Sequence, residues 1–199
     1  MTTTTWDDVA DTVTFSVPLD IDFIAERTPP QSRILDLGCG YGRTMASLRA
    51  RGFCRLIGYD ASSQLVARGH SEAPGLDLRV ADATHLPDSS DTFDAVVIAA
   101  LLTSVPFPRH QTMIVAEIAR VLRPGGEVFG VDFLRDGDAG YLAGGSFRAT
   151  NGIPMMHFKD TEISALFQDF THVESKRIGV SSLSSKPAEV LQYAFQLPR

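Results

Sequence analysis

The sequence predicts an α/β fold, Rossmann-like, with a largely parallel sheet covered by helices on both faces. Three observations predict it. From about residue 30 to 133, short apolar runs alternate with helix-like segments. The run Phe93-Asp94-Ala95-Val96-Val97-Ile98-Ala99 is almost continuously apolar, as a strand covered on both faces must be. The first apolar run ends in a glycine-rich turn, Gly38-Cys39-Gly40-Tyr41-Gly42.

Taken in order, the first 20 or so residues suggest a short helix and a cap, with Trp6 either folding over a ligand or anchoring the terminus. Arg33-Ile34-Leu35-Asp36-Leu37 reads as the first strand, after Pro29-Pro30. A helix through Met45 and Leu48 then stops at Gly52. Arg55 to Asp60 is a second strand, and Ser62 or Ser63 caps the helix carrying Leu65 and Val66. Leu76 to Val80 is a third strand and Phe93 to Ala99 a fourth. In 109–122, Ile114, Ile118, Val121 and Leu122 form one apolar stripe at helical spacing. Pro124-Gly125-Gly126 ends that helix, and Glu127 to Val131 is a fifth strand. The region 134–157 breaks the rhythm. Its Arg135-Asp136-Gly137-Asp138-Ala139-Gly140 and Gly144-Gly145 segments read as a long flexible loop, the kind that serves as a lid or binding segment. A helix with Ile163, Leu166, Phe167 and Phe170 on one face follows. Two closing strands, Val173 to Val180 and Val190 to Gln196, are joined by a turn-rich connector at 181–187.

Composition narrows the function classes. The 199 residues are 44% hydrophobic and 21% charged, which suits one ordinary globular domain. No apolar run reaches the ~18 residues needed to span a bilayer, and the start lacks a signal-peptide pattern, so a cytoplasmic location is expected. The net charge of −6 and the lack of a Lys/Arg cluster disfavour nucleic acid as a partner. Cys39 and Cys54 have no metal-ligand spacing, so no metal is expected.

In open α/β sheets, ligands bind beyond the carboxyl ends of the strands. The glycine loop lies at such an end. A dinucleotide loop needs G-x-G-x-x-G facing a pyrophosphate. Here the third glycine comes one residue early, at Gly42, and Arg43 holds the dinucleotide position. Asp36, just before the loop, would repel a pyrophosphate and attract an ammonium. At about 4 Å and an effective dielectric near 20 that attraction is about 4 kcal/mol before desolvation. The electrostatics favour S-adenosylmethionine over NAD. Asp60 ends the second strand, 20 residues after Gly40, where an acid can accept from ribose hydroxyls. Asp82, after the third strand, can accept from the adenine amine, with backbone at Ala83 completing the edge. Each carboxylate alone is equally a turn or capping residue; together they match three parts of one nucleoside.

These segments resemble the class I S-adenosylmethionine-dependent methyltransferases of the compact type related to quinone-biosynthesis enzymes. The resemblance is carried by Ile34 to Arg43, Ile57 to Ser62, Val80 to Ala83 with Leu86-Pro87, Phe93 to Val96, and Ala119 to Gly126. It implies a seven-stranded, mostly parallel sheet whose last strand is antiparallel. It implies a cofactor site made of Asp36, Gly38, Cys39, Gly40, Gly42, Asp60, Ala61, Asp82, Ala83 and Ala99. The resemblance covers about 31–133 and is to fold only beyond 134; the chain reads as one domain with an N-terminal cap (1–30), a cofactor core (31–133), an acceptor loop (134–158) and closing elements (159–199). The expected activity is methyl transfer to a small-molecule acceptor, aided mainly by positioning. An NAD-linked oxidoreductase and a non-catalytic S-adenosylmethionine-binding module are the alternatives.

After the fourth strand, Ala99-Ala100-Leu101-Leu102-Thr103 carries no Asn/Asp-Pro-Pro-Tyr, no metal-binding Asp and no Pro-Cys. That excludes base-amino methylases, magnesium-dependent catechol enzymes and cytosine-C5 methylases. Acceptor contacts are expected from 1–20 and 134–158, with Tyr141, Phe147, Met155, Met156 and His157 as candidates to line the acceptor pocket. His157 and Asp132 are candidate bases or orienting groups, His157 because its ordinary pKa lies near 6.5. The acceptor and the oligomeric state are not legible in the sequence.

Overall fold

The computed structural model describes residues 4–135, 141–181 and 187–199. The chain opens with a one-turn helix α1 (Trp6–Val9), begun by the Thr5 amide and hydroxyl both donating to Asp8 Oδ2 at 2.7 Å, and α2 (Ile21–Arg27), capped by Asp20 accepting from the Phe23 amide. Then come β1 (Arg33–Leu37), α3 (Arg43–Ala50), β2 (Arg55–Asp60), α4 (Ser63–Glu72), β3 (Leu78–Val80), β4 (Phe93–Ala99), α5 (Pro108–Val121) and β5 (Leu122–Phe133). The remainder is β6 (Ser146–Arg148), β7 (Pro154–Met156), α6 (Asp160–Leu166), β8 (Thr171–Ser181) and β9 (Pro187–Gln196).

Seven strands form one sheet in the order β3-β2-β1-β4-β5-β9-β8. The first five pair in parallel, and β9 runs antiparallel between β5 and β8. This is the Rossmann-like, mostly parallel sheet with an antiparallel final strand. The strand order reverses between β1 and β4, the switch point at which a crevice opens beyond the strand ends. Leu35, Val96, Val97, Ile98 and Val128 are fully buried, as helices on both faces require. The predicted helix stripe holds: Ile114, Ile118, Val121 and Leu122 are at most 1% exposed.

α6 stops at Leu166, before Phe167 and Phe170, and β8 and β9 begin earlier than the sequence reading has them, at Thr171 and Pro187; three further differences have a local reason. β3 starts at Leu78 because the Leu76 amide turns back to the Ala73 carbonyl, leaving only Leu78–Val80 paired with β2. β5 begins before Pro124-Gly125-Gly126, with a register shift against β4 between Phe93 and Ala95. Gly125 (φ 79°) absorbs that bulge, while its amide and the Gly126 carbonyl pair with Leu197. Within 134–157, part of the expected loop is a hairpin, β6 against β7, closed by Gly152 donating to the Ala149 carbonyl. The segment 136–140, the centre of that loop, lies outside the described residues, as does most of the 181–187 connector. Among the described residues, no helix is long and apolar enough to cross a membrane.

On β5, Gly130 faces Tyr193 of β9 across the sheet. A Cβ there would come within 2.2 Å of the phenol ring. Gly130→Ala is expected to lower stability by about 1–3 kcal/mol through overpacking. Urea unfolding checks this; an unchanged midpoint would mean that Tyr193 moves aside freely.

Candidate cofactor and acceptor site

The carboxyl ends of β1, β2, β3 and β4 open onto one cavity of about 310 Å³. The glycine loop forms its floor. Gly38 (φ 75°) lines it directly, and a Cβ there would meet the Leu101 side chain at 2.9 Å. The Gly40 amide donates to Asp60 Oδ2 at 2.8 Å, and the Phe15 ring lies so close to Gly40 that a Cβ would meet it at 2.7 Å. The other two predicted loop members point elsewhere. Gly42 packs against Leu76 and Leu78 at the start of α3, and Cys39 is buried among Met45, Val66, Leu76 and Leu78. Burial and two nearby carboxylates push the Cys39 thiol far up, so its side chain is an inert packing group.

Asp60, Ala61, Asp82, Ala83 and Ala99 all line the cavity. Asp60 is held from two sides: Gly40 N–H on Oδ2, and Ser62 N–H on Oδ1 at 2.8 Å. Burial raises its pKa, and the two amides work against that rise. Asp82 accepts from the Thr84 amide and hydroxyl at 2.8 Å, and those bonds lower its pKa. The sheet order places Asp82, Asp60 and Gly38 in a row across three adjacent strand ends. A nucleoside with an amino-acid tail spans such a row.

Asp36 stands apart. It is 1% exposed and lies behind the cavity wall rather than in it. Neither oxygen has a well-formed hydrogen bond, and the Met45 amide helps it only weakly. Burial, then the Asp60 charge, push its pKa to about 7, with Arg43 opposing.

The N-terminal segment closes the cavity from above. Trp6, Phe15, Ser16 and Val17 line it. The sequence points to the segment 1–20 for site contacts and singles out Trp6 within it, but Phe15, Ser16 and Val17 carry no motif of their own. Their fasteners come from the cofactor loop and its neighbours. Tyr41 Oη accepts from the Phe15 amide, and Phe15 and Tyr41 stack at 5.3 Å. Arg68 donates to the Ala10 and Val13 carbonyls, and Asp7 accepts from Ser62 Oγ and the Gln64 amide. Arg43 donates to the Val17 carbonyl.

The far wall is apolar: Leu101, Val105, Ile114, Phe133 and Met155, with Ser104 and His110 as its polar members. Of the predicted acceptor residues, Met155 is here. Met156 is not; consecutive strand residues face opposite ways, and Met156 packs in the core with Gln111 Nε2 at 3.2 Å from its sulfur. Tyr141, Phe147 and His157 form an aromatic cluster behind Phe133. His157 stacks on Phe133 at 5.2 Å, meets Phe147 edge-on at 4.5 Å, and shares a hydrogen bond with the Tyr141 hydroxyl through Nδ1 at 2.9 Å. None of the three lines the cavity. Burial, aided by Arg135, lowers the His157 pKa to about 4, so the imidazole is neutral near pH 7.

Asp132 also faces away. It is fully buried, with Oδ1 on the Thr103 amide at 2.7 Å and Oδ2 on the Tyr193 hydroxyl at 2.8 Å. Burial raises its pKa to about 6. Its place is structural: it anchors the 100–104 turn, which forms part of the cavity wall and includes Ala100 at φ 57°. Among the described residues, no cluster of His, Cys, Asp and Glu could hold a metal ion.

Sheet order, switch-point cavity and strand-end carboxylates define a Rossmann-like protein that binds a nucleoside cofactor. Comparison with known proteins makes this particular. Residues 34–126 match the family described as a methyltransferase domain. A ubiquinone biosynthesis O-methyltransferase of Hahella chejuensis is 36% identical over 118 residues, covering 56% of this chain and 48% of that protein. A demethylmenaquinone methyltransferase of Clavibacter sepedonicus is 40% identical over 105 residues, covering 51% and 41%. This chain thus spans less than half the length of these relatives. A solved S-adenosylmethionine-dependent methyltransferase structure from Methanosarcina mazei superposes with a TM-score of 0.80 at 25% identity, covering 88% of this chain and 97% of that one. Over residues 34–126 the chain is thus similar to the methyltransferase domain family, and its fold is that of the solved S-adenosylmethionine-dependent methyltransferase structure.

The raised pKa of Asp36 fixes a sign for stability. The folded chain holds this proton up to about pH 7, whereas an unfolded aspartate loses it near 3.8. Stability from this group is therefore greatest in acid and falls as pH rises from about 4 to about 7. Asp36→Asn should flatten that fall, and without ligand should be more stable than the parent at pH 8. Urea midpoints at pH 5 and pH 8 test this; an unchanged pH dependence would contradict it.

Proposed function

We propose that the chain moves the methyl group of S-adenosylmethionine onto a small, predominantly apolar acceptor. One observation carries this reading: a single cavity joins the row of strand-end carboxylates to an apolar wall of Leu101, Val105, Ile114, Phe133 and Met155. In this reading Asp60 accepts from the ribose hydroxyls, Asp82 and the Ala83 backbone read adenine, and Gly38 and Ala99 flank the amino-acid end. Cys39, Gly40 and Gly42 serve the site by shaping the loop. The relatives named for ubiquinone biosynthesis and demethylmenaquinone support a ring-bearing acceptor of similar polarity.

The cofactor supplies a methyl group already activated by its sulfonium charge. The protein then has mainly to align the acceptor, and alignment alone can supply several kcal/mol of the barrier. Phe133 and Met155 present flat and polarizable surfaces to the acceptor, and the N-terminal segment excludes water. Ser104 and His110 are the polar groups on that wall within reach of an acceptor proton. His157 acts one layer back, holding the Phe133 ring in place by stacking.

Calorimetry should show S-adenosylhomocysteine binding to the native chain and NAD not binding. Asp60→Ala should weaken S-adenosylhomocysteine binding at least about tenfold, the scale of losing charge-assisted hydrogen bonds, with its circular dichroism spectrum retained. Binding of NAD alone would overturn the reading. With labelled S-adenosylmethionine and a panel of hydroxylated aromatic compounds, label should pass into an organic-extractable product. A panel giving no transfer, with cofactor binding intact, would favour a non-catalytic binding module.

A further inference from the structure

A second pocket, about 630 Å³ in volume, lies at the other end of the sheet, where β1 and β2 begin. From Arg55 in this pocket to Asp60 in the cofactor cavity the chain follows the length of β2, about 16 Å. The charged lining of the second pocket is Arg33, Arg49, Arg55 and Asp77. Three cations thus gather in one place on a chain of net charge −6. Two of the four groups are already committed. Asp77 takes Arg79 in a two-point pair at 2.7 Å, and Arg33 reaches Asp88 at 3.3 Å while lying over the Phe93 ring. Arg49 and Arg55 have no carboxylate among the described residues. Arg55 makes a long bond, 3.4 Å, to the Gln31 carbonyl, and Arg49 makes no hydrogen bond or ion pair with the described residues.

The backbone holds these cations together. Arg33 and Arg55 are register partners on β1 and β2, a juxtaposition of like charges that costs stability. Arg49, in the last turn of α3, lays its guanidinium against Gly75, where a Cβ would meet Nη1 at 3.4 Å. Gly75 lines the same pocket, so Arg49 and Arg55 border one concave space. A carboxylate has two oxygens and fills one guanidinium fork. A terminal phosphate presents three oxygens and about two charges, enough for two forks.

We propose that this pocket binds the phosphate group of a small phosphorylated molecule, with Arg49 and Arg55 as the two groups that grip it and Arg33 adding its field. None of these residues lines the cofactor cavity, so the site is independent of the methyl-transfer reading.

Inorganic pyrophosphate is the probe, at near-physiological salt so that diffuse attraction is screened. Cys54 lines the pocket and is exposed, whereas Cys39 is buried, so Cys54 serves as the reporter. Pyrophosphate should slow alkylation of Cys54 by N-ethylmaleimide with a saturable, submillimolar midpoint, and calorimetry should give the same midpoint. Arg49→Gln and Arg55→Gln should each weaken binding at least about tenfold, the scale of losing charge-assisted bonds. Arg51→Gln should leave binding unchanged, because Arg51 pairs with Asp22 outside the pocket. All three arginines are exposed, and melting curves check that the variants keep the fold. Absence of saturable binding to the native chain would overturn the assignment. So would binding that Arg49→Gln and Arg55→Gln leave intact. Equal weakening by all three substitutions would also overturn it, marking a diffuse positive field in place of a site.

Discussion

The structure turns on the carboxylate of Asp60. At the end of β2 it accepts the Gly40 amide with one oxygen and the Ser62 amide with the other, both at 2.8 Å. The first bond holds the glycine loop in shape. The second holds the entry to α4, where Ser62 caps the helix through the Leu65 amide. Ser62 Oγ also donates to Asp7, which docks α1. Loop, helix and N-terminal cover therefore meet at one charge. Charge-assisted bonds of this kind are each worth about 1.5–3 kcal/mol. They offset the burial that raises the pKa of the group.

The cavity inherits an electrical gradient from this arrangement. Asp82, Asp60 and Arg43 are its charged lining groups, Asp36 lies behind the wall, and the far wall is apolar apart from Ser104 and His110. Such a surface has no place for a pyrophosphate, and the dinucleotide alternative gains no support from it. Catalysis by alignment suits what is present. The two groups that strand-end position and chemistry nominated as bases, Asp132 and His157, are both turned inward and hold the wall in place.

Most of the sheet was legible in the sequence because its strands are buried on both faces and so carry continuous apolar runs. Arg33–Leu37 and Phe93–Ala99 have the boundaries their apolar runs indicate. The stripe of α5 was equally legible, because one face of that helix packs on the core. Side-chain direction at strand ends was not. Asp132 and Phe133 are neighbours on β5, and alternation sends only one of them toward the cavity; Met155 and Met156 repeat the case on β7. That alternation was the available signal: an aromatic next to an acid at a strand end puts the two on opposite faces. Phe15, Ser16 and Val17 were beyond reach for another reason. They are held at the site by the Phe15 amide donating to Tyr41 Oη and by Arg43 donating to the Val17 carbonyl, each across 26 residues of sequence, which no local pattern records.

If the strand-end carboxylates act together, they bind one nucleoside in a fixed direction. A crystal structure with S-adenosylhomocysteine tests it most directly. The expected complex has adenine beside Asp82 and Ala83, ribose on Asp60, and the amino-acid end beside Gly38. A ligand lying in the reverse direction, or seated outside the switch-point cavity in the groove between α5 and α6, would contradict it.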